Sequence, residues 1–139
     1  MACSSIFVVI YGIFAVYMSL LVICAHITDR AARDAARAVA QTQPQADLAS
    51  TKTQAVKVAN AVLKSFATAN PFMSPPSLQS LVYEDFNGNP PADTSPYVTV
   101  TVVSSAQLPF APTYFFGNQY GTENYTFSQT YTFPIVNVR

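Results

Sequence analysis

The sequence has few of the residues from which catalytic and metal-binding sites are usually built. Its 139 residues include one histidine, two cysteines and four glycines. There is no glycine-rich phosphate-binding loop, no Gly-x-Ser-x-Gly nucleophile motif and no Cys-x-x-Cys pair. His26 has no second histidine as a partner, and Cys24, two positions away, would lie on a different face of a helix. We therefore expect a protein that is not an enzyme, with no catalytic residues, no metal and no cofactor.

Charged residues are scarce as well, and they are unevenly placed. Asp, Glu, Lys and Arg make up 10% of the chain, and none of them occurs from Met1 to Thr28. The seven basic residues balance the seven acidic ones, so the formal net charge is zero. A neutral chain does not indicate a nucleic-acid partner. The chain length allows one domain plus an anchor.

The charge-free region contains an apolar run from Ile6 to Ala25, about 20 residues long. As a helix this run is long enough to cross the roughly 30 Å hydrocarbon core of a bilayer. A cleaved secretory signal is the alternative, but such a signal has a basic beginning, a shorter apolar stretch and a small-residue cleavage site. The sequence favours a retained membrane helix.

The orientation of this helix is open from the sequence alone. Arg30, Arg33 and Arg37 follow the apolar run, and the positive-inside rule would place them in the cytoplasm. The conflict with an exported C-terminal part disappears if a basic leader has been removed before Met1. Met1 could equally be the initiator methionine.

The helix is expected to continue beyond the membrane. Residues 29–43 are rich in Ala and Arg and contain no Gly or Pro, and Pro44 ends the segment. Opposite charges are spaced three or four residues apart, which lets them pair on one helix surface. The spacing predicts one helix of about 40 residues, on the order of 60 Å. We therefore divide the chain into a helix of residues 1–43, as membrane anchor and filament core, and an exported head domain of residues 44–139.

The head is predicted to contain a second helix and a small sheet. An amphipathic helix is expected over residues 46–69, with an apolar stripe at helical spacing and an end at Asn70 and Pro71. Residues 97–103 alternate Val with Thr, and residues 125–133 alternate aromatic with hydroxyl side chains, as strands with one buried face do. The predicted fold class is α+β, with two helices followed by an antiparallel sheet.

Shorter segments complete the prediction. Proline and Asn-Gly signals between residues 71 and 96 indicate loops and turns, with a short strand at residues 81–83. Residues 108–112 read as a proline-bounded connection, residues 114–116 as a short apolar run, and residues 135–139 as a last edge strand. In the turn, the oxygens of four side chains could bind a cation such as Ca²⁺, although a plain polar turn is favoured. These four are Glu84, Asp85, Asn87 and Asn89.

The order of these segments resembles the TadE/TadG-like pilins, in the tight-adherence branch of the type IV pilus superfamily. The resemblance lies in the Ala-Ala-Arg-Asp-Ala-Ala-Arg segment at residues 31–37, the Ala-rich region of residues 55–69 and the Val-Thr pattern from Tyr97. In element order it covers nearly the whole chain. Type IV pilins often carry Glu at the fifth mature position, where this chain, counted from Met1, has Ser5.

The resemblance implies a type IV pilin-like fold and a structural function. Members of the family are made with a leader, cleaved by a prepilin peptidase and held in the inner membrane until they enter a filament. The implied partners are the lipid bilayer, the pilus assembly machinery, the peptidase and other copies of the chain. The implied location is the cell membrane before assembly and a cell-surface filament afterwards.

Two sets of residues are predicted to serve assembly. The first is an interface on the apolar helix, where copies would pack together. It comprises Ile6, Val9, Gly12, Ile13, Val16, Leu20 and Ile23. The second is a set of charges that would either pair between subunits or form local pairs on a solvated helix face, and the local pairs are favoured. It comprises Asp29, Arg30, Arg33, Asp34 and Arg37.

We expect a homopolymeric filament subunit. One alternative is a minor pilin, a non-polymerising subunit of the same machinery that is retained in the membrane. The other is a bitopic membrane protein whose small domain binds or senses a ligand.

Overall fold

The structure, a computed structural model, describes residues 2–45, 47–67, 71–107 and 124–135, with the side chains of all of these except residues 2–4 and 87. Helix α1 (Ala2–Ala40) is followed by helix α2 (Leu48–Ser65) and strand β1 (Ser77–Glu84). A single 3-10 turn (Phe86–Gly88) precedes strand β2 (Tyr97–Gln107), and strand β3 (Asn124–Pro134) comes last. The predicted α+β class, with two helices before a small antiparallel sheet, is confirmed.

Helix α1 is continuous over 39 residues, which corresponds to about 58 Å. It contains one glycine and no proline, and the chain leaves the helix shortly before Pro44. Arg37 in the last turn places a positive charge at the negative end of the helix dipole. The prediction of one helix of about 40 residues is confirmed.

Helix α2 buries a stripe of small and aliphatic residues spaced four apart. Thr51, Ala55, Ala59 and Leu63 are its buried residues. The Thr51 hydroxyl accepts a hydrogen bond from the Gln45 amide at 2.9 Å and donates one to the Asp47 carbonyl, which ties the preceding turn to the helix start. The helix ends at Ser65, before the predicted end, and Asn70 lies outside the described residues.

The sheet has three antiparallel strands in the order β1-β2-β3. Alternate residues of β2 are buried, from Val98 to Ala106, and face the helices. On the opposite face, Thr99 and Thr132 join their hydroxyls across the β2–β3 pair at 2.8 Å. The alternation predicted for β2 is therefore confirmed, and the strand extends further, to Gln107. The predicted short strand at residues 81–83 is the end of the longer β1.

Three other predictions fall largely outside the described residues. The connection at residues 108–112 and the apolar run at residues 114–116 both lie there. Of the predicted edge strand at residues 135–139, only Ile135 is described. It is buried beyond the end of β3, and its amide donates to the Pro96 carbonyl at 2.9 Å.

Both helices pack on one face of the sheet, and the core lies between these two layers. The C-terminal half of α1 contributes six of the buried core residues, five of them alanine. They are Ala31, Ala32, Ala35, Ala36, Val39 and Ala40. Small side chains on adjacent faces of α1 let it pack closely on both α2 and the sheet. The buried residues of α1 therefore begin at Cys24, and the division of the chain at residue 43 stays a prediction. We call α1 from Cys24, α2 and the sheet the head.

Replacing a buried side chain of α2 tests this core. Leu63, 3% exposed, packs in the core, whereas Val56 on the same helix is 38% exposed. We expect Leu63→Ala to lower the free energy of unfolding by about 2 to 5 kcal/mol. As the matched control, Val56→Ala should change it by less than about 0.5 kcal/mol. Urea unfolding in detergent solution measures both, and equal midpoints for the two variants would contradict this core.

Candidate functional site

The N-terminal half of α1 projects from the head, and most of its large apolar side chains are exposed. Ile13, Tyr17, Leu20 and Leu21 are half-buried. We call residues 5–23 the projecting segment. Its mean hydropathy reaches 2.7 over an 18-residue window, and none of that window is buried. The consecutive residues Phe7, Val8, Val9 and Ile10 are 73%, 72%, 59% and 50% exposed. Because successive residues are turned by about 100°, these four sample the whole circumference of the helix.

This surface requires a cover that the described part of the chain does not supply. A helix that is apolar all round is stable only within lipid or within protein. The projecting segment and Cys24 span about 30 Å, the thickness of a bilayer hydrocarbon core. By length and composition, α1 is the one described helix able to cross a membrane, a property that signal sequences share. The structure therefore supports an apolar anchor or signal segment at this position.

The predicted assembly interface lies on one side of the projecting segment. Five of its residues are exposed, and Ile13 and Leu20 are half-buried. The exposed ones are Ile6, Val9, Gly12, Val16 and Ile23. Their spacing of mostly three or four residues confines the set to roughly a third of the helix circumference. Within the described atoms they are accessible to a neighbour, whereas their packing against other copies remains a prediction.

A narrow strip of small residues borders this interface. Gly12, Ala15 and Ser19 are exposed, and a Cβ added at Gly12 would meet no atom within 4 Å. The Ser19 hydroxyl donates to the Ala15 carbonyl at 2.8 Å. Because this bond satisfies the hydroxyl inside the helix, Ser19 can face an apolar environment at low cost. Small residues of this kind allow helix axes to approach closely in membranes.

Beyond the projecting segment along α1, two of the predicted charged residues join the helix to the edge strand β3. Arg33 donates to the Asp29 carboxylate at 2.9 Å and to the Tyr131 hydroxyl at 3.1 Å. The Tyr131 hydroxyl in turn donates to the other Asp29 carboxylate oxygen, and the Arg33 guanidinium lies 5.2 Å from the centre of the Tyr131 ring. We call Asp29, Arg33 and Tyr131 the helix–strand triad. It connects α1 to β3 by charge-assisted hydrogen bonds.

The remaining predicted charges lie on the solvent side of α1. Arg30 and Asp34 form a 3.7 Å pair whose side chains are 78% and 45% exposed, and Arg37 is exposed in the last turn. Two of the local ion pairs expected from the spacing, Asp29–Arg33 and Arg30–Asp34, are therefore present, and pairing between subunits stays a prediction. The sequence analysis missed Tyr131 as a partner. Its aromatic and hydroxyl alternation placed it on a strand, but no local pattern relates it to a residue about a hundred positions earlier.

The triad has a defined effect on the titration of Arg33. The hydrogen bond to Tyr131 and the Asp29 carboxylate raise the pKa of Arg33 above its already high usual value. A pKa raised in the folded state stabilises the fold at every pH below the unfolded value, and this contribution is lost only as the solution becomes strongly alkaline. Arg33 therefore adds no pH dependence to stability in the acidic or neutral range.

A second contact that sequence reasoning missed lies where the sheet first meets α1. The Thr28 hydroxyl donates to the Cys24 carbonyl at 2.8 Å and is hydrogen-bonded to the Ser104 hydroxyl, with both side chains buried. Since the single Thr28 proton goes to the carbonyl, Ser104 is the donor of the second bond. The pair satisfies two buried hydroxyls and fixes α1 against β2 one turn beyond the projecting segment.

The residues considered for metal or acid–base chemistry do not come together. His26 is exposed on α1. Within the described residues, no three His, Cys, Asp or Glu side chains are grouped to hold a metal ion. Glu84 accepts a hydrogen bond from the Phe86 amide at 3.3 Å, Asp85 is buried, and the Asn87 side chain lies outside the described part. The polar turn and the cation site at these residues both stay predictions.

Removing the Tyr131 hydroxyl tests whether the triad stabilises the head itself. Because the hydroxyl bridges two charged groups, we expect Tyr131→Phe to lower the free energy of unfolding by about 1 kcal/mol. Arg30→Ala, at the exposed pair, should change it by less than about 0.5 kcal/mol. Thermal and urea unfolding of the monomer in detergent measure both. If the two variants are equally stable, the triad does not contribute to the monomer.

Comparisons with models of protein families, with curated proteins and with solved structures found no match to this chain. The pilin resemblance therefore remains a prediction that rests on the sequence pattern. What the structure establishes is a long apolar N-terminal helix, a second helix and a three-stranded antiparallel sheet.

Proposed function

We propose that this chain is a membrane-anchored structural subunit of a pilus-type filament. In this proposal the projecting segment is held in the bilayer before assembly and packs against the same segment of other copies afterwards. The observation that carries the proposal is the exposure of large apolar side chains around the whole circumference of residues 6–11 and over most of the helix surface as far as Ile23. At roughly 25 cal/mol per Å², shielding such a surface from water is worth tens of kcal/mol.

The same surface suits both environments. Lipid chains are as apolar as leucine, so helices leave lipid for one another through close packing rather than through the hydrophobic effect. The exposed Gly12, Ala15 and Ser19 offer a place for such packing. The interface predicted from the sequence, from Ile6 to Ile23, lies beside this strip. An anchor in one state can therefore serve as a filament core in the other.

The continuity of α1 supports a structural role for the head. α1 runs from the projecting segment into the core, with no break between them. The position of the helix therefore determines the position of the head. In a filament whose core is made of projecting segments, the heads would form the outer layer at a set distance and rotation.

The proposal includes the partners and locations that the resemblance to TadE/TadG-like pilins implies. These partners are the lipid bilayer, other copies of the chain, a prepilin peptidase and the pilus assembly machinery. The chain would reside in the cell membrane and then in a surface filament. A non-polymerising minor subunit would share the anchor but would be absent from filaments sheared off the surface, so its abundance there separates the two.

Deleting the apolar residues tests the role of α1. A form lacking residues 1–19 keeps Leu20 and everything that packs in the head. We expect it to be soluble and monomeric by sedimentation, because its core is intact, whereas the full chain should require detergent or lipid. Filaments formed by the shortened chain would disprove polymerisation through the helix. A full chain that stays monomeric and soluble without detergent would disprove the anchor.

Enlarging Gly12 tests packing between copies separately from insertion. The single chain has room for Gly12→Leu, and the substitution keeps the helix apolar, so membrane insertion should be unchanged. Loss of close approach that costs about 1.4 kcal/mol per contact would lower the association constant about tenfold. Electron microscopy after detergent removal compares filament yields.

The matched control for this experiment is Phe14→Leu. It introduces the same side chain about 200° round the helix from Gly12, on a side away from the strip of small residues. We expect its filament yield to equal that of the unmodified chain. Equal yields for all three proteins would show that Gly12 does not lie at a contact between copies.

A further inference from the structure

The end of the head nearest the projecting segment can be identified from contacts. Thr28 of α1 meets Ser104 of β2, which is paired with Phe127 of β3, whereas Asp29 meets Tyr131, further along β3. α1 therefore advances over the sheet in the direction of β3. The Cys24 end of this part of α1 therefore lies at the end of the sheet where β2 ends and β3 begins.

Helix α2 returns its C-terminus to the same end. Phe66, just after α2, lines a small cavity together with Ile27 of α1 and Met73. The segment around Met73 is in turn hydrogen-bonded to the end of β2, where the Gln107 amide donates to the Phe72 carbonyl at 2.8 Å. We call this end of the head the proximal end. It consists of residues 65–67, 71–76, 105–107 and 124–127.

The proximal end differs from the opposite end in charge. Its described residues include no Asp, Glu, Lys or Arg, and they include four aromatic residues and a methionine. Tyr125 among them is 39% exposed. The nearest charge on α2 is Lys64, whose exposed side chain is long enough to reach towards lipid phosphates. By contrast, the opposite end carries Arg37, Asp47, Glu84, Asp85 and Asp93.

There is no spacer between the projecting segment and the proximal end. Ile23 is 47% exposed, whereas Cys24, the next residue, is fully buried by the head. The projecting segment, residues 5–23, spans about 28 Å, close to the thickness of the hydrocarbon core. If it spans the bilayer, the proximal end must lie at the level where hydrocarbon gives way to headgroups.

Tyrosine is enriched where membrane proteins cross the interface, because its ring is apolar and its hydroxyl is polar. Tyr125 is such a residue among the described residues of the proximal end.

We propose that the proximal end is a lipid-contacting surface that seats the head in the interfacial layer of the bilayer. The proposal rests on the membrane anchoring proposed above and adds to it a second, shallow contact made by the head. Uncharged polar groups there meet the headgroups, while Phe72 and Tyr125 reach the boundary with the acyl chains. The bilayer is thus in contact with the head as well as with the anchor.

Tryptophan placed at single positions tests this surface, because the natural chain contains none. The full-length protein is reconstituted into phosphatidylcholine vesicles with or without lipids brominated near the headgroup end of the acyl chains. Phe72→Trp and Tyr125→Trp report on the proximal end. We expect the brominated lipid to quench the fluorescence of each, because interfacial aromatic residues lie at the level of the headgroups.

Two further variants serve as controls. Val82→Trp replaces an exposed side chain whose strand partner, Thr99, lies about 26 Å along the sheet from Gln107. Its fluorescence should be almost unaffected by the brominated lipid. Phe14→Trp reports on the anchor with lipids brominated deep in the acyl chains. Urea unfolding midpoints close to that of the natural chain confirm that each variant is folded.

The outcomes separate the two proposals. Quenching at residues 14, 72 and 125 but not at 82 supports the lipid-contacting surface. If Phe14→Trp is quenched while residues 72 and 125 behave like residue 82, the anchor stands and the lipid-contacting surface is wrong. If Phe14→Trp is not quenched, membrane anchoring fails, and the lipid-contacting surface fails with it.

Discussion

The whole arrangement depends on one constraint, which is that an apolar helix surface has to be covered. Most large side chains of the projecting segment are exposed, and the buried core of the described residues lies against α1 beyond that segment. A water-facing segment of this kind would be unstable against association. Lipid and other copies of the chain are the covers we propose, and both would place the head beside the end of the apolar segment.

The C-terminal half of the same helix packs against two neighbours at once. Its buried residues are mostly alanine, and it contacts α2 as well as the sheet. A helix with large side chains on two adjacent faces would hold both neighbours further away. Polar contacts fix the position of α1 on the sheet, because the triad joins α1 to β3 and the Thr28–Ser104 pair joins it to β2. α1 is therefore one continuous helix whose N-terminal half is exposed and apolar and whose C-terminal half is packed in the core.

Periodic features of the sequence predicted most of the fold. The Val-Thr alternation predicted β2, and the uninterrupted apolar and Ala-rich stretch predicted α1, because each pattern extends over several repeats. β1 was predicted as three residues, since its beginning is largely polar and a bulge between Leu78 and Ser80 breaks the alternation. Likewise, Asp29 and Arg33 were recognised as a local pair. Their contact with Tyr131 depends on the final packing of distant segments, which no local spacing encodes.

The direction of α1 relative to the strands has a mechanical consequence. α1 advances along the sheet with β3 and is attached to it through the triad and the core. Tension applied along the helix axis would therefore have a component along the strands. In that geometry the hydrogen bonds between β2 and β3 bear the load together in shear, instead of opening one after another from an end.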